Sequence, residues 1–435
     1  MSNVKAPTKL FLGCLSGCVL TLCSPALAGE KSADTEAARL FDAAAAWEEF
    51  EQLLRGKYAY IDRDDMDVDA QLARSQELAS QAETNDEFRR IIHQTALTFM
   101  DPHLIVGPFT ADDYAIVMTA ADLDARFEGG RLLISDVRAG SPAFEAGIRS
   151  GDEMLAIDGE LPNVAAMLPF GKVLAEPTAA QLDYGATLAI NGRRGHARKL
   201  QVRGPSGEVR YLELISATEF ARSLDDREPV TLTRIGEQAE IAVIRINNSL
   251  GNNDTIIAFD QAMKAALSAK AIVLDMRDTP SGGNTEVARS IIGHFTREMR
   301  PYQVHEIPAF EREFTVPRRF VEYVYPREPN YAGPVYVLHG RWTGSMGEGI
   351  VIGMDAATDA VTIGSDMGDL LGGLWNWDLE KSEARVDLGG EALFHVNGAP
   401  REDFVANVPL TPADTDAEGN DPAIAQVLKM LGTGS

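Results

Sequence analysis

The sequence predicts a multi-domain α/β protein, and three stretches with different hydrophobic patterns support this prediction. Residues 34–100 carry apolar residues at three- and four-residue spacing, which is typical of helices. Residues 104–224 contain short apolar runs separated by turn residues, which indicates strands. From residue 241 onward, apolar strands alternate with helical segments, which favours a sheet of parallel strands. A chain of 435 residues is long enough for two to three domains.

Composition and charge exclude several functional classes. Hydrophobic residues make up 45% and charged residues 24% of the chain, the balance of a globular protein. The formal net charge of −25 opposes binding to phosphate backbones, so we expect no nucleic-acid partner. Three cysteines in so long a chain exclude a disulfide scaffold. No spacing typical of metal ligands is present, so we expect neither a metal nor another cofactor, and activity should survive EDTA.

Residues 1–28 have the features of an export signal. Lys5 and Lys9 precede an apolar stretch at 10–23, and a small-x-small cleavage site ends at Ala28. We therefore expect an exported, periplasmic protein. Cleavage before Cys18, which would attach a lipid anchor, is the alternative. No later apolar run approaches the roughly 18 residues of a membrane-spanning helix, so no membrane span is expected.

The mature chain divides into three predicted domains. A helical N-terminal domain covers 29–103 and ends where Pro102 stops the helix. A β domain covers 104–225, and the third domain covers 226–435. In the third domain we predict strands, each followed by a helix, at 241–246 and 255–267, at 271–275 and 285–295, and at 335–338 and 345–355.

The β domain contains the run GSPAFEAGIRSGDEMLAIDG at 140–159, which resembles the centre of a PDZ domain. PDZ domains bind a peptide C-terminus by adding the peptide to the edge of a sheet. The glycine-rich loop that would hold the peptide carboxylate is not evident around 114–118. A structural or regulatory role therefore stays open beside a peptide-binding one.

Ser345 opens a predicted helix directly after a buried strand and a glycine turn. Together with Glu348 it fits a helix capping box. A helix N-terminus also suits a nucleophile, because the N–H of Met346 could stabilise an oxyanion beside it. The two interpretations are compatible, since Glu348 can brace the turn while Ser345 reacts.

A glycine pair, Gly282 and Gly283, follows the predicted strand at 271–275. Glycine allows close backbone approach, so either N–H could face a substrate carbonyl. The alternative is an ordinary strand-to-helix turn with Asn284 as the N-cap.

Taken together, these segments resemble the S41 family of serine peptidases, which includes the C-terminal processing peptidases and tricorn-core relatives. Residues 274–284 are similar to the family's LDLRxNPGG loop, and 344–349 to its nucleophile turn. Residues 362–364, 401–409 and 101–103 resemble its V-x-G strand, its E-G-x-G-x-x-P segment and its D-x-H motif. The resemblance implies a crotonase/ClpP-like β-β-α catalytic core preceded by helical and PDZ-like domains.

The resemblance also implies roles for individual residues. In these roles Ser345 is the nucleophile, His103 the general base, Glu402 the residue that orients His103, and Met346 with Gly282 or Gly283 the oxyanion hole. The processing peptidases use a lysine as base, but residues 364–373 contain none, and Lys381 lies in a charged run typical of a solvated face. This favours the tricorn-like use of histidine, although Pro102 occupies the position of the tricorn-like serine. His339 is the rival base by proximity.

We therefore expect an exported serine endopeptidase that cleaves polypeptides, including near their C-termini. A catalytically inactive PDZ-containing scaffold that binds peptides is the alternative, since a fold does not guarantee its chemistry. A crotonase-type acyl-CoA enzyme is a third candidate, against which the export signal counts. The sequence does not predict an oligomeric state.

Overall fold

The computed structural model describes residues 41–114, 117–224, 226–280 and 282–432. The predicted signal peptide and all three cysteines lie outside the described residues. No helix in the described ranges is both long and apolar enough to cross a membrane. Phe41–Ser435 form one compact unit, and the domain boundaries proposed within it stay predictions.

The described residues contain helices and strands throughout, which confirms the predicted α/β class. The helices are α1 Ala43–Lys57, α2 Val68–Ala79, α3 Asn85–Leu97, α4 Pro142–Glu145, α5 Pro162–Ala165, α6 Ala179–Asn191, α7 Ala217–Leu224, α8 Asp254–Ala266, α9 Thr285–Ile292, α10 Pro308–Phe314, α11 Met346–Ala357 and α12 Pro422–Met430. The strands are β1 Ile105–Gly107, β2 Leu123–Glu128, β3 Arg131–Val137, β4 Glu153–Ile157, β5 Arg198–Arg203, β6 Val209–Leu214, β7 Val230–Ile235, β8 Ile241–Ile246, β9 Ala271–Asp275, β10 Arg300–Glu306, β11 Arg319–Val324, β12 Val335–His339, β13 Val361–Gly364, β14 Gly373–Asp378, β15 Arg385–Phe394 and β16 Val408–Pro409.

The central sheet has the strand order β16-β13-β12-β9-β8-β7 and is parallel except where β7 meets β8. In β9, Ile272 and Leu274 pack with α8, α9 and α11, whereas Ala271 and Val273 pack with α12 on the other face. Because β9 and β12 are parallel, their carboxyl ends lie at the same edge. The loop at 276–284 and the turn at 340–345 therefore lie side by side.

A second, antiparallel sheet has the order β2-β3-β4-β5-β6, and α6 lies against β2. An edge strand normally leaves backbone N–H and C=O groups free for an added strand. Here three polar side chains of α6, spaced four residues apart, hydrogen-bond those groups of β2. The pairs are Asn191 with Leu123, Thr187 with Ala125, and Asp183 with Phe127. Helix α6 thus occupies the β2 edge in place of an added strand.

The third sheet joins the two ends of the chain. Its order is β1-β15-β10-β11, with β14 also paired to β15. Strand β1 follows His103 almost directly and pairs antiparallel with β15, so that Ile105 lies opposite Asp387. Helices α1–α3 share one hydrophobic core with Val386 and Leu388 of β15. This pairing carries His103 to the C-terminal half of the chain.

Candidate active site

Ser345 lies in a strained turn between β12 and α11. Its backbone has φ 53° and ψ −113°, a conformation that L-residues rarely adopt. The N–H of Gly344 donates to the carbonyl of Thr279 at 2.9 Å, which ties the turn to the glycine loop. The N–H of Ser345 donates to a carboxylate oxygen of Glu348 at 2.6 Å, one half of the predicted capping box. The turn therefore fixes a serine at the start of a helix.

Gly282 lies directly against Ser345. A Cβ added to Gly282 would overlap the hydroxyl oxygen of Ser345. It would lie 2.7 Å from the Cβ of Ser345 and 3.3 Å from the backbone nitrogen of Met346. A Cβ on Gly283 would instead overlap the Leu250 carbonyl on the opposite side. Of the two glycines that the sequence offers for an oxyanion hole, the structure places Gly282 beside the serine and the helix N-terminus. Gly283 packs away from them.

His103 is buried between α3 and β1, with 5% of its surface exposed. Its Nδ1 lies 3.1 Å from the carbonyl oxygen of Leu371, so Nδ1 carries the hydrogen and Nε2 keeps its lone pair. One carboxylate oxygen of Asp101 accepts the N–H of both His103 and Leu371. Burial, with the positive charge of Arg401 as a second cause, lowers the pKa of His103 to about 4. The imidazole is therefore neutral at physiological pH.

Arg401 connects the serine turn to the segment that holds His103. Its guanidinium donates to the Ser345 carbonyl at 3.1 Å and to the Leu370 carbonyl, and lies 3.2 Å from a carboxylate oxygen of Glu348. Because Leu371 binds His103, the contacts of Arg401 connect the Ser345 turn to the segment that holds His103. Burial raises the pKa of Glu348 to about 7, and Arg401 opposes that shift.

The other predicted groups occupy different surroundings. Glu402 lies beside Arg401 in a short turn, and in the described residues no hydrogen bond joins it to His103. Its role in orienting His103 stays a prediction, since the Leu371 carbonyl binds Nδ1 here. Lys381 is exposed in the turn before β15. His339 is buried at the end of β12, where its ring lies 5.8 Å from that of Phe404.

Part of the chain matches a known protein family. The sequence profile of Peptidase family S41 matches residues 240–384, from β8 into the turn before β15. Over this segment the chain is similar to peptidase family S41. It is accordingly a serine-type peptidase. Gly282, Ser345 and Met346 lie inside the matched segment, whereas His103 and Glu402 lie outside it. No curated protein sequence matches the chain.

Solved structures show the same fold at low sequence identity. The structure of mature CPAF complexed with lactacystin has a TM-score of 0.58 and 15% identity, covering 87% of this chain and 94% of that one. The photosystem II D1 C-terminal processing protease has a TM-score of 0.52 and 16% identity, covering 87% and 96%. A Parabacteroides merdae protein has a TM-score of 0.54 and 13% identity, covering 90% and 96%. At such identities the likeness supports the fold alone.

The protein also contains a carboxylate–histidine pair that carries no sequence motif. Nδ1 of His305 lies 2.7 Å from a carboxylate oxygen of Glu391, and Nε2 lies 3.0 Å from the amide nitrogen of Gln303. A Cβ on Gly349, one helical turn after Ser345, would lie 2.9 Å from the Gln303 amide oxygen. Gln303, which contacts His305, therefore borders the first turn of α11 from the side of β10.

A cleft of about 460 Å³ adjoins the candidate site. It is lined by Asp124 of β2, by Asp183 of α6, by Pro102 next to His103, and by Gly368 and Asp369. Residues 368–369 lead directly into the segment that contacts Arg401 and His103. The cleft thus lies between the second sheet and the 364–373 loop, next to the residues that adjoin His103 and Leu370. Among the described residues, no group of His, Cys, Asp and Glu side chains is arranged to hold a metal ion.

Proposed function

We propose that the protein is an exported serine endopeptidase that cleaves polypeptides, including near their C-termini, with Ser345 as nucleophile. The observation that carries this proposal is the contact between Gly282 and the side chain of Ser345 at the start of α11. A strained turn, a helix N-terminus and a close glycine backbone together suit a nucleophile with an oxyanion site beside it.

The geometry supports a histidine-assisted mechanism. Nε2 of His103 accepts the Ser345 proton as the hydroxyl oxygen attacks the scissile carbonyl. The N–H groups of Met346 and Gly282 stabilise the resulting oxyanion. His103 then protonates the departing amine, and a water molecule hydrolyses the acyl-enzyme by the same route in reverse order. The Leu371 carbonyl holds the imidazole in the required orientation. If the three residues Ser345, His103 and Glu402 act as a triad, Glu402 also orients the ring.

Labelling and turnover test this function. A peptidyl phosphonate should modify Ser345, and the folded wild-type protein should degrade an unfolded polypeptide. Ser345→Ala should abolish both signals, whereas Ser290→Ala, which removes a helix α9 hydroxyl bonded to the Val287 carbonyl, should keep them. A folded wild-type protein that binds peptides without labelling or turnover would instead support the inactive scaffold.

Export is tested separately. Cleavage after Ala28 predicts a mature protein in the periplasm that begins at Gly29. N-terminal sequencing of protein recovered from periplasmic extracts should read that start. A mature chain that begins at a lipid-modified Cys18 would support the lipoprotein alternative.

A further inference from the structure

Arg138 is a buried arginine that lies directly after β3 and contacts the catalytic loops. Its side chain is 1% exposed. Nε and Nη2 donate to one carboxylate oxygen of Asp278 at 3.0 and 2.6 Å, and Nη1 donates to the Thr119 carbonyl at 3.0 Å. Asp278 belongs to the loop at 276–284, which also carries Gly282. Arg138 therefore links the second sheet to the loop beside the nucleophile.

The Thr119 contact extends the same link to the other side of the site. The hydroxyl of Thr119 donates to the Pro280 carbonyl. A Cβ on Gly344 would lie 2.9 Å from the Thr119 methyl, and the Arg138 guanidinium lies 5.9 Å from the centre of the Trp342 ring. Arg138 thus contacts the 276–284 loop directly through Asp278. It also lies near the Trp342 ring of the turn at 340–345, and Thr119, which it binds, lies against Gly344 of that turn.

The charges around Asp278 favour a single position of the loop at 276–284. Arg227 lies 2.5 Å and Arg245 lies 3.6 Å from the other Asp278 oxygen. Burial alone would raise the pKa of Asp278, but the three arginines hold it below its ordinary value. A buried carboxylate held by several guanidinium groups has few alternative positions, because each would leave a buried charge unpaired.

We propose that Arg138 is a positioning residue of the peptidase reaction: through Asp278 and Thr119 it holds the 276–284 loop so that Gly282 stays against Ser345. This inference rests on the proposed function for its kinetic consequence. Small displacements of catalytic groups cost about 100-fold in rate, and loss of one oxyanion donor costs a similar factor. Arg138 touches no substrate atom in this proposal and acts through the loop.

The test compares Arg138→Met with Arg198→Met. Arg198 is equally buried, belongs to the same sheet and pairs with Asp122 at 2.6 Å, but it contacts neither catalytic loop. We expect Arg138→Met to lower kcat about 10- to 100-fold with KM within about twofold. Arg198→Met should keep kcat per folded molecule within about twofold, whatever its thermal stability. Arg138→Lys keeps the charge but loses the planar set of N–H donors that binds both Asp278 and the Thr119 carbonyl, so its kcat should be intermediate.

A second readout separates this proposal from the proposed function. Hydrogen exchange of residues 276–284 and 340–346 should be faster in Arg138→Met than in wild type, and this measurement needs no activity. If the wild type neither turns over substrate nor is labelled at Ser345, the proposed function fails, while the hydrogen-exchange result still decides the role of Arg138.

If Arg138→Met does not fold, a second variant replaces it. Arg227→Met removes a partly exposed partner of Asp278 and should show smaller changes of the same kind in kcat and hydrogen exchange. The inference is overturned if folded Arg138→Met has the kcat and the hydrogen-exchange rates of the wild type. It is also overturned if Arg198→Met loses kcat by the same factor as Arg138→Met.

Discussion

The Nδ1 hydrogen of His103 is bound by a backbone carbonyl, that of Leu371. In a serine–histidine–carboxylate triad the corresponding group is a carboxylate, which orients the ring and also stabilises the imidazolium. A carbonyl orients the ring without adding a negative charge. Burial beside Arg401 then lowers the pKa of His103 to about 4, so the ring stays neutral in mildly acidic solution.

This protonation behaviour predicts an unusual pH profile. Because the pKa of His103 is lowered, the neutral form that accepts a proton extends to lower pH than for an ordinary histidine. We expect an NMR titration of the His103 ring to give a midpoint near pH 4. The profile of kcat/KM should also change near pH 7, because burial raises the pKa of Glu348 and of Asp101 to about 7. A midpoint near 6.5, the ordinary histidine value, would contradict the burial argument.

The assignment of the base is tested by substitution. We expect His103→Ala to lower kcat at least about 100-fold, the usual scale for loss of a general base. Lys381→Ala should keep wild-type kcat, because Lys381 is exposed. Circular dichroism and thermal melts should show both variants folded. An inactive Lys381→Ala beside an active His103→Ala would replace histidine with lysine as the base.

The two glycines should respond differently to a methyl group. In Gly282→Ala the new Cβ would occupy the space of the Ser345 hydroxyl, so we expect kcat to fall about 100-fold or more. In Gly283→Ala the Cβ would press on the Leu250 carbonyl, so the main effect should be a lower melting temperature. Kinetics and thermal melts on both variants distinguish the outcomes. Equal kcat losses at equal stability would show that both glycines serve the nucleophile.

Site residues that belong to one short sequence pattern could be predicted from the sequence. Site residues that contact partners far away in the chain could not. Ser345 and the glycine pair each follow a buried strand, and that local pattern is visible in the sequence. The choice between Gly282 and Gly283 depends on the direction in which the turn faces, which spacing does not specify. Arg401 and Arg138 act through partners far away in the chain, so only the folded structure reveals them.

At the scale of elements, α6 closes the β2 edge with side chains. Thr187 donates to the Ala125 carbonyl and accepts the Ala125 N–H. Replacing its hydroxyl in Thr187→Val leaves both buried groups unpaired, so we expect the free energy of unfolding to fall by about 1–3 kcal/mol. Thr233→Val on exposed β7 should be nearly neutral. Chemical denaturation measures both, and an unchanged Thr187→Val would show that the edge is not held by this contact.

Strand prediction succeeded where strands are covered on both faces. Strands β8, β9 and β12 read as continuous apolar runs because helices pack on each side of the central sheet, and their bounds agree with the prediction within about one residue. Strands β1, β10, β11, β14 and β15 were not predicted. They pair antiparallel, in part across long stretches of chain, and β1 and β11 lie at the edges of their sheet. Such pairings depend on tertiary contacts that a local pattern does not contain.

At the scale of the molecule, the N-terminal helices complete the hydrophobic core of the C-terminal half. Trp47 and Phe50 of α1 belong to the same buried cluster as Val386 and Leu388 of β15. We therefore expect residues 226–435 expressed alone to be insoluble or to lack a cooperative thermal transition, because this apolar face would be exposed. The matched control is the chain from residue 29 onward. A soluble, cooperatively melting fragment would show that the catalytic segment folds independently.

The contacts of Arg401 have a consequence for the time course of synthesis. The chain emerges from the ribosome with His103 first, Ser345 much later and Arg401 later still. Until Arg401 is present, the carbonyls of Ser345 and Leu370 lack their shared donor, and β15 is not yet fully available as a partner for β1. A growing chain that has not reached residue 401 therefore lacks the side chain that joins the Ser345 turn to the segment beside His103.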